Sequence, residues 1–334
     1  ERVRAGGGSD LAPRMHVDGD RHVADDFETL YYFSSFANFE AAFAMADTVG
    51  DDSRATARDT ETQPIIGLYA TLVLSSLAPV PIMSADNAAY AAPLDGWIAL
   101  RAVFQEGTPF AMHRGVVAHE FGHRLFHHNV WSRVDGGFEA WRDRITDAVS
   151  EDDAVLREAM LLKGIDEGLA DVFAITTMQR ADGVISAFAA AGDAYENEAI
   201  RRDVDGVFAE RATYDNLRTL SLDKELLDAC ALDTEEFAQA DFNFYCVGTV
   251  VAATMWRTAE QNPQLLRDEV EPAIIDALPS IGEALVNGAR FDLDLFLEPF
   301  AAQFAPGRRR DAACTAIRAR FASLVDQGRV PTCS

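Results

Sequence analysis

The chain has 334 residues, of which 49% are hydrophobic, and its formal net charge is -25 at pH 7. A chain of this length and composition can bury a large core, and it suits a two-part globular protein better than a series of small modules. A surface this acidic repels nucleic acid and anionic membranes, which argues against both as partners.

The first hundred residues predict one helix and several strands. Residues 1–10 include three consecutive glycines and are typical of a flexible arm. Between residues 25 and 49, aromatic and apolar side chains recur at helical intervals and predict an amphipathic helix. The uncharged stretch Ile65–Met83 is interrupted by glycine and proline, so it predicts buried strands and no membrane span. Residues 96–101 predict a further strand.

From residue 105 onwards the pattern is almost entirely helical. Strands followed by helices, without alternation, predict an α+β fold rather than a doubly wound parallel sheet. We expect an N-terminal α+β lobe with a mixed sheet over residues 11–130 and a mainly helical C-terminal lobe over residues 131–334. A cleft between the two lobes would then hold the functional site.

All four cysteines lie in the C-terminal third of the chain, at Cys230, Cys246, Cys314 and Cys333. Their spacing contains no Cys-x-x-Cys, so a zinc-binding cysteine pair is not indicated. An even number favours two disulfides in an oxidising compartment, with three connectivities possible. Pairing in sequence order closes the shortest loops. Four free buried thiols remain the alternative.

A pair of histidines on one helix carries the strongest chemical signal. Thr108 and Pro109 fit the N-cap and first position of a helix that continues through His119 and His123. Residues four apart on a helix share a face, so both imidazoles can bind one ion. Glu120 lies beside them, within reach of a water molecule on that ion. The sequence therefore predicts a metal site of the His-Glu-x-x-His type.

A catalytic zinc site needs a third protein ligand, and the best source is a second helical stretch over residues 164–174. Glu167 and Asp171 share a face there, so one carboxylate can bind zinc while the other holds a ligand imidazole. The small residues Gly164, Gly168 and Ala170 permit a close approach of another helix. A solvated acidic helix face is the alternative.

The segments His119-Glu-Phe-Gly-His123 and Asp166-Glu-Gly-Leu-Ala-Asp171 together resemble the gluzincin metallopeptidases, in particular the thermolysin-like and fungalysin-like families. The resemblance implies a zincin-like fold of two lobes and one catalytic Zn²⁺. It also implies that Glu167 is the third ligand and that Asp171 is the partner of His119. Weaker similarity to these families extends over residues 245–256 and 314–321.

The chain departs from the thermolysin-like pattern because no histidine follows His128. In those enzymes a later histidine stabilises the oxyanion of the transition state. Tyr245, at the start of the matching helix, is our candidate for this role, since a phenol can donate to a developing oxyanion. Tyr214 is a weaker candidate. A packing role for Tyr245 is the alternative.

These features predict a secreted, periplasmic or cell-surface zinc endopeptidase that acts on a peptide or protein substrate, with Glu120 as general base. The strand before the active-site helix predicts backbone pairing with an extended substrate at Trp97, Ile98 and Ala99. An ordinary internal strand is the alternative there.

Two further hypotheses remain open. The acidic turns at residues 18–20 and 203–206 have the spacing of oxygen-rich loops, which makes Ca²⁺ possible, although ordinary turns explain them as well. The chain could also be an inactive, peptidase-like protein that binds zinc and a partner without cutting it. The absence of a late histidine favours this second hypothesis.

Overall fold

The computed structural model describes residues 13–49, 65–69, 73–74, 82–83, 87–91, 96–100, 109–131, 153–187, 202–219, 230 and 244–334. Most of these residues are helical. The helices in chain order are α1 (Phe27–Thr48), α2 (Arg114–Trp131), α3 (Asp153–Met178), α4 (Val207–Arg211), α5 (Tyr214–Arg218), α6 (Phe244–Thr258), α7 (Pro263–Leu265), α8 (Glu271–Val286), α9 (Asp294–Gln303), α10 (Arg308–Arg320) and α11 (Ala322–Asp326). A π-helical segment, Leu266–Val270, joins α7 to α8, and 3₁₀ turns occupy Phe110–Met112 and Pro331–Cys333.

The strands of the described residues are short and form three small sheets. They are β1 (Met15–Asp18), β2 (Arg21–Ala24), β3 (Ile65–Tyr69), β4 (Val73–Leu74), β5 (Ile82–Met83), β6 (Asn87–Ala91) and β7 (Gly96–Leu100). β1 with β2 and β4 with β5 form antiparallel pairs. In the three-stranded sheet β7 is central, parallel to β3 and antiparallel to β6.

The predicted α+β fold of two lobes with a mixed N-terminal sheet is wrong. Most of the described residues are helical, and no described strand exceeds five residues. The buried apolar side chains come almost entirely from helices within the described ranges, and they form one continuous cluster. Strands this short cannot supply a layer of their own, so the helices form the core. The predicted boundary at residue 130 stays a prediction, and the arm of residues 1–10 lies outside the described residues.

Helix α1 confirms the helix predicted between residues 25 and 49, but not its amphipathic character, because Phe27, Leu30 and Phe36 on it are exposed. Its N-cap is Asp26, whose side chain accepts a hydrogen bond from the Thr29 backbone N–H at 2.8 Å. Phe39 and Phe43 on this helix pack against Trp97 with ring centroids 4.9 and 6.1 Å apart. These contacts hold α1 and β7 against the back of α2.

Helix α2 begins later than Thr108 and Pro109 predict. Pro109 precedes the 3₁₀ turn Phe110–Met112, and the α-helix starts at Arg114. The break falls at His113, whose backbone is extended and whose Nδ1 accepts a hydrogen bond from the Gly115 N–H at 3.2 Å. A side-chain acceptor at this point satisfies one of the free N–H groups of the helix end, as an N-cap does. Thr108 lies outside the described residues.

Two close helix crossings position the site. A Cβ on Gly122 of α2 would lie 2.6 Å from Cα of Ala170 on α3, and a Cβ on Gly168 of α3 would lie 2.3 Å from the carbonyl oxygen of Gly248 on α6. Only a residue without a side chain allows backbones to approach this closely. The prediction that the small residues near Glu167 permit close helix approach is confirmed.

The two predicted disulfides are confirmed, and of the three possible connectivities the cysteines pair in sequence order, Cys230 with Cys246 and Cys314 with Cys333. The first joins the chain at residue 230 to the first turn of α6. The second joins α10 to the 3₁₀ turn at the end of the chain. No described helix has both the length and the apolar character that crossing a membrane requires.

Candidate metal centre

Helix α2 places two imidazoles against each other. Nε2 of His119 lies 3.1 Å from Nε2 of His123, as the spacing of four residues predicts. Both side chains are almost fully buried. Together with Glu120 they form a group whose ligand atoms all lie within 4.8 Å of one another and which could hold a metal ion.

Helix α3 adds the carboxylate of Glu167 to the same point. Its Oε2 lies 3.2 Å from Nε2 of His119, and its Oε1 lies 3.7 Å from Nε2 of His123. Ligand atoms bound tetrahedrally at about 2.1 Å are separated by about 3.4 Å, so the distance between the two Nε2 atoms and the distance from Oε2 to His119 fit two edges of a tetrahedral site. Oε2 of Glu167 is buried and has no hydrogen bond among the described residues. Nη2 of Arg202 lies 3.6 Å from this oxygen, too far for a hydrogen bond, and a metal ion would bring a positive charge into direct contact with it.

The first histidine is held from behind by Asp171 and Arg202. Nδ1 of His119 lies 2.8 Å from Oδ1 of Asp171. Arg202 grips that carboxylate with two hydrogen bonds, from Nη2 to Oδ1 at 2.6 Å and from Nε to Oδ2 at 3.1 Å. A carboxylate at Nδ1 keeps the proton on that nitrogen and leaves the lone pair of Nε2 for a metal. The placement of Asp171 beside His119 agrees with its predicted role.

Arg202 also contacts the imidazole of His119 directly. Its Nη2 lies 3.1 Å from Nδ1 and 3.2 Å from Nε2 of that ring. The lone pairs of the two ring nitrogens diverge in the ring plane. Nη2 of Arg202 is almost equally far from both nitrogens, so it cannot be aligned with either lone pair and lies over the ring. The sequence analysis missed Arg202, because it lies 31 positions from Asp171 and no local spacing connects the two.

The second histidine has a matching support that the sequence analysis also missed. Nδ1 of His123 shares a hydrogen bond of 2.7 Å with Oδ1 of Asp166, and Oδ2 of Asp166 accepts one of 2.8 Å from Nζ of Lys163. The same ammonium lies 2.9 Å from Oε1 of Glu167. Each histidine is therefore backed by an aspartate, and each aspartate by a cation. The spacing of three and four residues from Lys163 to the two acids was the available signal.

The charges around the site shift the pKa values of its groups. Burial and the charge of Arg202 lower the pKa of His119, but Asp171 and Glu167 outweigh them and raise it to about 9. Burial alone would raise the pKa of Glu167, yet Lys163 and the histidines hold it well below its usual range. Glu167 therefore stays ionised at neutral pH, as a metal ligand must.

Glu120 points toward this cluster and is fixed in place. Its Oε2 accepts a hydrogen bond of 2.9 Å from the backbone N–H of Tyr90, and its own carbonyl accepts one of 3.2 Å from Nε1 of Trp97. Burial raises the pKa of its carboxyl, against the opposing charges of His123 and His119. A raised pKa makes this carboxylate a stronger base than one in water.

Tyr245 lies at the start of α6 beside the cluster. Its ring centre is 5.1 Å from Cζ of Arg202, and the charge of Glu167, together with burial, raises the pKa of its phenol to about 12. Its role as an oxyanion donor stays a prediction. The weaker candidate, Tyr214, donates instead to Oδ1 of Asp292 at 3.1 Å and packs against Phe321.

The strand predicted to pair with substrate is not available for that purpose. β7 contains Trp97, Ile98 and Ala99 and is hydrogen-bonded to β3 on one edge and to β6 on the other. Backbone addition needs an edge with unpaired N–H and C=O groups, so the predicted pairing at these residues is wrong. Trp97 is instead a core residue that packs flat on Phe121.

The turns considered for Ca²⁺ have structural contacts of their own. Oδ1 of Asp203 accepts from the backbone N–H of Asp205, and Oδ1 of Asp205 accepts from Nε1 of Trp256 at 2.7 Å and from Nε2 of Gln261 at 2.9 Å. The turn after Asp18 closes the β1–β2 hairpin through Gly19, with φ of 65°. In the turn at residues 203–206 these contacts account for Asp203 and Asp205 without an ion, and calcium stays an untested prediction.

Comparison of the chain with protein-family models, with curated proteins and with solved structures gives no match. The function can therefore be inferred only from the geometry of this centre.

Proposed function

We propose that the protein is a zinc-dependent peptidase in which His119, His123 and Glu167 bind the metal and Glu120 is the general base. The observation that carries the proposal is the convergence of two Nε2 atoms and one carboxylate oxygen, 3.1 and 3.2 Å apart, on one point. Each of the three atoms offers a lone pair once His119 has lost the extra proton that its raised pKa favours, and a cation bound between them displaces that proton.

The balance of formal charge supports a divalent ion. The buried or partly buried carboxylates of Glu120, Asp166, Glu167 and Asp171 contribute four negative charges, and Lys163 and Arg202 contribute two positive ones. With both imidazoles neutral, as metal binding requires, the cluster is left with two uncompensated negative charges, and burying such charges is unfavourable. Without an ion, the extra proton that the raised pKa of His119 favours offsets one of them. A divalent cation at the histidines neutralises them.

The donor types favour zinc over calcium. Two imidazoles and one carboxylate, with a fourth position for water, are a common ligand set of catalytic zinc, whereas calcium takes six to eight oxygens. Glu167 is the better third ligand because its Oε2 has no hydrogen bond within the described residues, while Oε2 of Glu120 is held by the N–H of Tyr90. This division leaves Glu120 free for proton transfer.

When zinc is bound, it lowers the pKa of its water and polarises the carbonyl of the scissile bond. Glu120, oriented by the Tyr90 N–H, accepts the proton of the attacking water at Oε1 and passes it to the leaving amine. Tyr245 donates its O–H to the carbonyl oxygen as that oxygen becomes negative. Asp171 and Asp166 keep the two imidazoles in the required tautomer.

The resemblance of the two metal-site segments to gluzincin peptidases is part of this proposal. The substrate class that we propose is a peptide or an unfolded protein. The two disulfides support an oxidising location, such as the cell exterior or the periplasm, because such bonds persist there.

The experiment is a metal analysis combined with digestion of an unstructured protein. We expect one zinc per chain, cleavage that a chelator abolishes and added zinc restores, and a loss of cleavage of about a thousandfold or more in Glu120→Gln with zinc retained. Glu271→Gln is the matched control, since Glu271 is equally buried but lies away from the centre. Cleavage by Glu120→Gln at the wild-type rate would disprove the general-base role. Bound zinc without cleavage would favour a binding protein.

A further inference from the structure

Lys163 is one of only two lysines in a chain with 29 basic residues. Its ammonium lies 2.8 Å from Oδ2 of Asp166 and 2.9 Å from Oε1 of Glu167. The side chains of these two acids are only 16% and 6% exposed, so they do not belong to a solvated helix face. The side chain of Lys163 is 43% exposed. The lysine therefore reaches inward from the surface to two buried carboxylates.

One of the oxygens that Lys163 contacts, Oε1 of Glu167, also lies 3.7 Å from Nε2 of His123, so the ammonium and a metal ion would compete for it. In Asp166 the other oxygen, Oδ1, is hydrogen-bonded to Nδ1 of His123. In Glu167 the other oxygen, Oε2, lies 3.2 Å from Nε2 of His119. The ammonium of Lys163 thus contacts both Asp166, which supports His123, and Oε1 of Glu167.

We propose that Lys163 is a positioning residue that keeps Oε1 of Glu167 away from the metal, so that this carboxylate binds through Oε2 alone. The inference rests on the function proposed above. A carboxylate can bind a metal through one oxygen or two, and a catalytic zinc needs its fourth position for water. If Oε1 were free to turn toward the ion, it would compete with water for that position.

Lysine suits this task better than arginine in two respects. Its ammonium is a compact charge with three donors, so it can bond to two carboxylates at once, whereas a guanidinium prefers both oxygens of one carboxylate. Arg202 shows the second behaviour in the same centre, since it grips both oxygens of Asp171. The two cations therefore have different roles. Arg202 fixes Asp171, and Lys163 holds Oε1 of Glu167 so that only Oε2 is left for the metal.

The test compares Lys163→Met, which keeps the length of the side chain but removes its charge, with Lys163→Arg and wild type. Arg267→Met is the matched control, because Arg267 pairs with Asp268 on the surface, outside the centre. Each protein is loaded with one equivalent of zinc, and the coordination number is measured by X-ray absorption at the zinc edge. The visible spectrum of the cobalt-loaded form gives an independent measure of the same quantity. Thermal unfolding followed by circular dichroism verifies that each variant is folded.

We expect four ligands in wild type and in Arg267→Met, and an additional oxygen ligand in Lys163→Met. The turnover number of Lys163→Met should fall about 10- to 100-fold, in line with other residues that orient metal ligands, while KM changes little. Lys163→Arg should recover only part of the four-coordinate spectrum and of the turnover, because it retains a cation at this position but favours both oxygens of one carboxylate.

An unchanged metal spectrum in folded Lys163→Met would overturn the inference, whatever happens to turnover. A fall in turnover with an unchanged spectrum would mean that the ammonium acts on the substrate rather than on Glu167. Failure of the proposed function would look different, since wild type itself would then fail to bind zinc or to cleave the unstructured protein.

Discussion

The contact between α3 and α6 gives a sharp prediction about Gly168. In Gly168→Ala the new Cβ would lie 2.3 Å from the carbonyl oxygen of Gly248 and 2.9 Å from its Cα and carbonyl carbon. An ordinary contact begins at 3.4 Å, so the helices must separate by about 1.1 Å. All three of the atoms met are backbone atoms, which cannot turn aside as the end of a side chain can.

The expected cost follows from two opposing effects. Overpacking of a close contact costs about 1–3 kcal/mol, and the rigid neighbour places this case at the upper end. Replacing glycine by alanine inside a helix raises the helix propensity, which increases the free energy of unfolding by up to about 1 kcal/mol. We therefore expect the free energy of unfolding to fall by about 2 kcal/mol. Glu167 is the adjacent residue, so a shift of this size displaces the carboxylate that we propose as a metal ligand, whose distance tolerance is about 0.2 Å, and zinc affinity should fall about tenfold or more.

The assay is urea unfolding of the metal-free protein, together with a competition titration of zinc against a chelator. Gly248→Ala should be milder on both measures, because its Cβ would lie 3.0 Å from the nearest atoms of α3. Gly288→Ala is the control: its Cβ meets nothing within 4 Å, but its φ of 76° costs about 1 kcal/mol with no effect on zinc. Wild-type stability and zinc affinity in Gly168→Ala would refute the reasoning, since the helices could not then be in such close contact.

Three further predictions concern other parts of the molecule. Burial raises the pKa of Glu271 to about 8 from its usual 4.5, so its contribution to stability is full below about pH 4.5 and is lost as the pH rises through about 8. Glu271→Gln should remove this loss of stability, which is on the order of 4 kcal/mol, and thermal melts at pH 5 and pH 9 will measure it. An equal pH dependence in wild type and Glu271→Gln would contradict the raised pKa of Glu271. Replacing Cys314 and Cys333 by serine opens a loop of sequence separation 19 and should lower the free energy of unfolding in urea by about 3 kcal/mol, whereas no change would mean that the bond is not formed. Asp166→Asn should weaken zinc binding about tenfold in a chelator competition, because the imidazole of His123 loses a charged partner, and unchanged binding would show that the contact is not important.

The local parts of the candidate centre could be predicted from the sequence. His119 and His123 lie on one face because a helix repeats every 3.6 residues, and Glu167 and Asp171 share a face for the same reason. The small residues around Glu167 indicated a close crossing, which the contact of Gly168 with α6 confirms. The even number of cysteines predicted two disulfides correctly, and their connectivity, which the sequence left open, is the one that closes the shortest loops.

The fold class was predicted incorrectly. Apolar runs such as Ile65–Met83 correctly indicated strands, since β3, β4 and β5 lie within that range. The pattern of a strand does not tell how many strands join or how large a sheet they form, because pairing is a contact between distant segments. For the same reason the position of β7 at the centre of its sheet, which closes both of its edges, was not visible in Trp97, Ile98 and Ala99.

Periodicity and spacing within single helices thus determined which residues of this protein share a helix face at the candidate metal centre, because those distances are set by one helix alone. Only the tertiary structure places α3 against α2 so that Glu167 reaches the histidines. It also places Arg202 against Asp171 and His119. These contacts join residues tens of positions apart, and they depend on how closely the helix backbones approach at Gly122 and Gly168. Such distances result from packing of the whole core, so no local pattern in the sequence contains them.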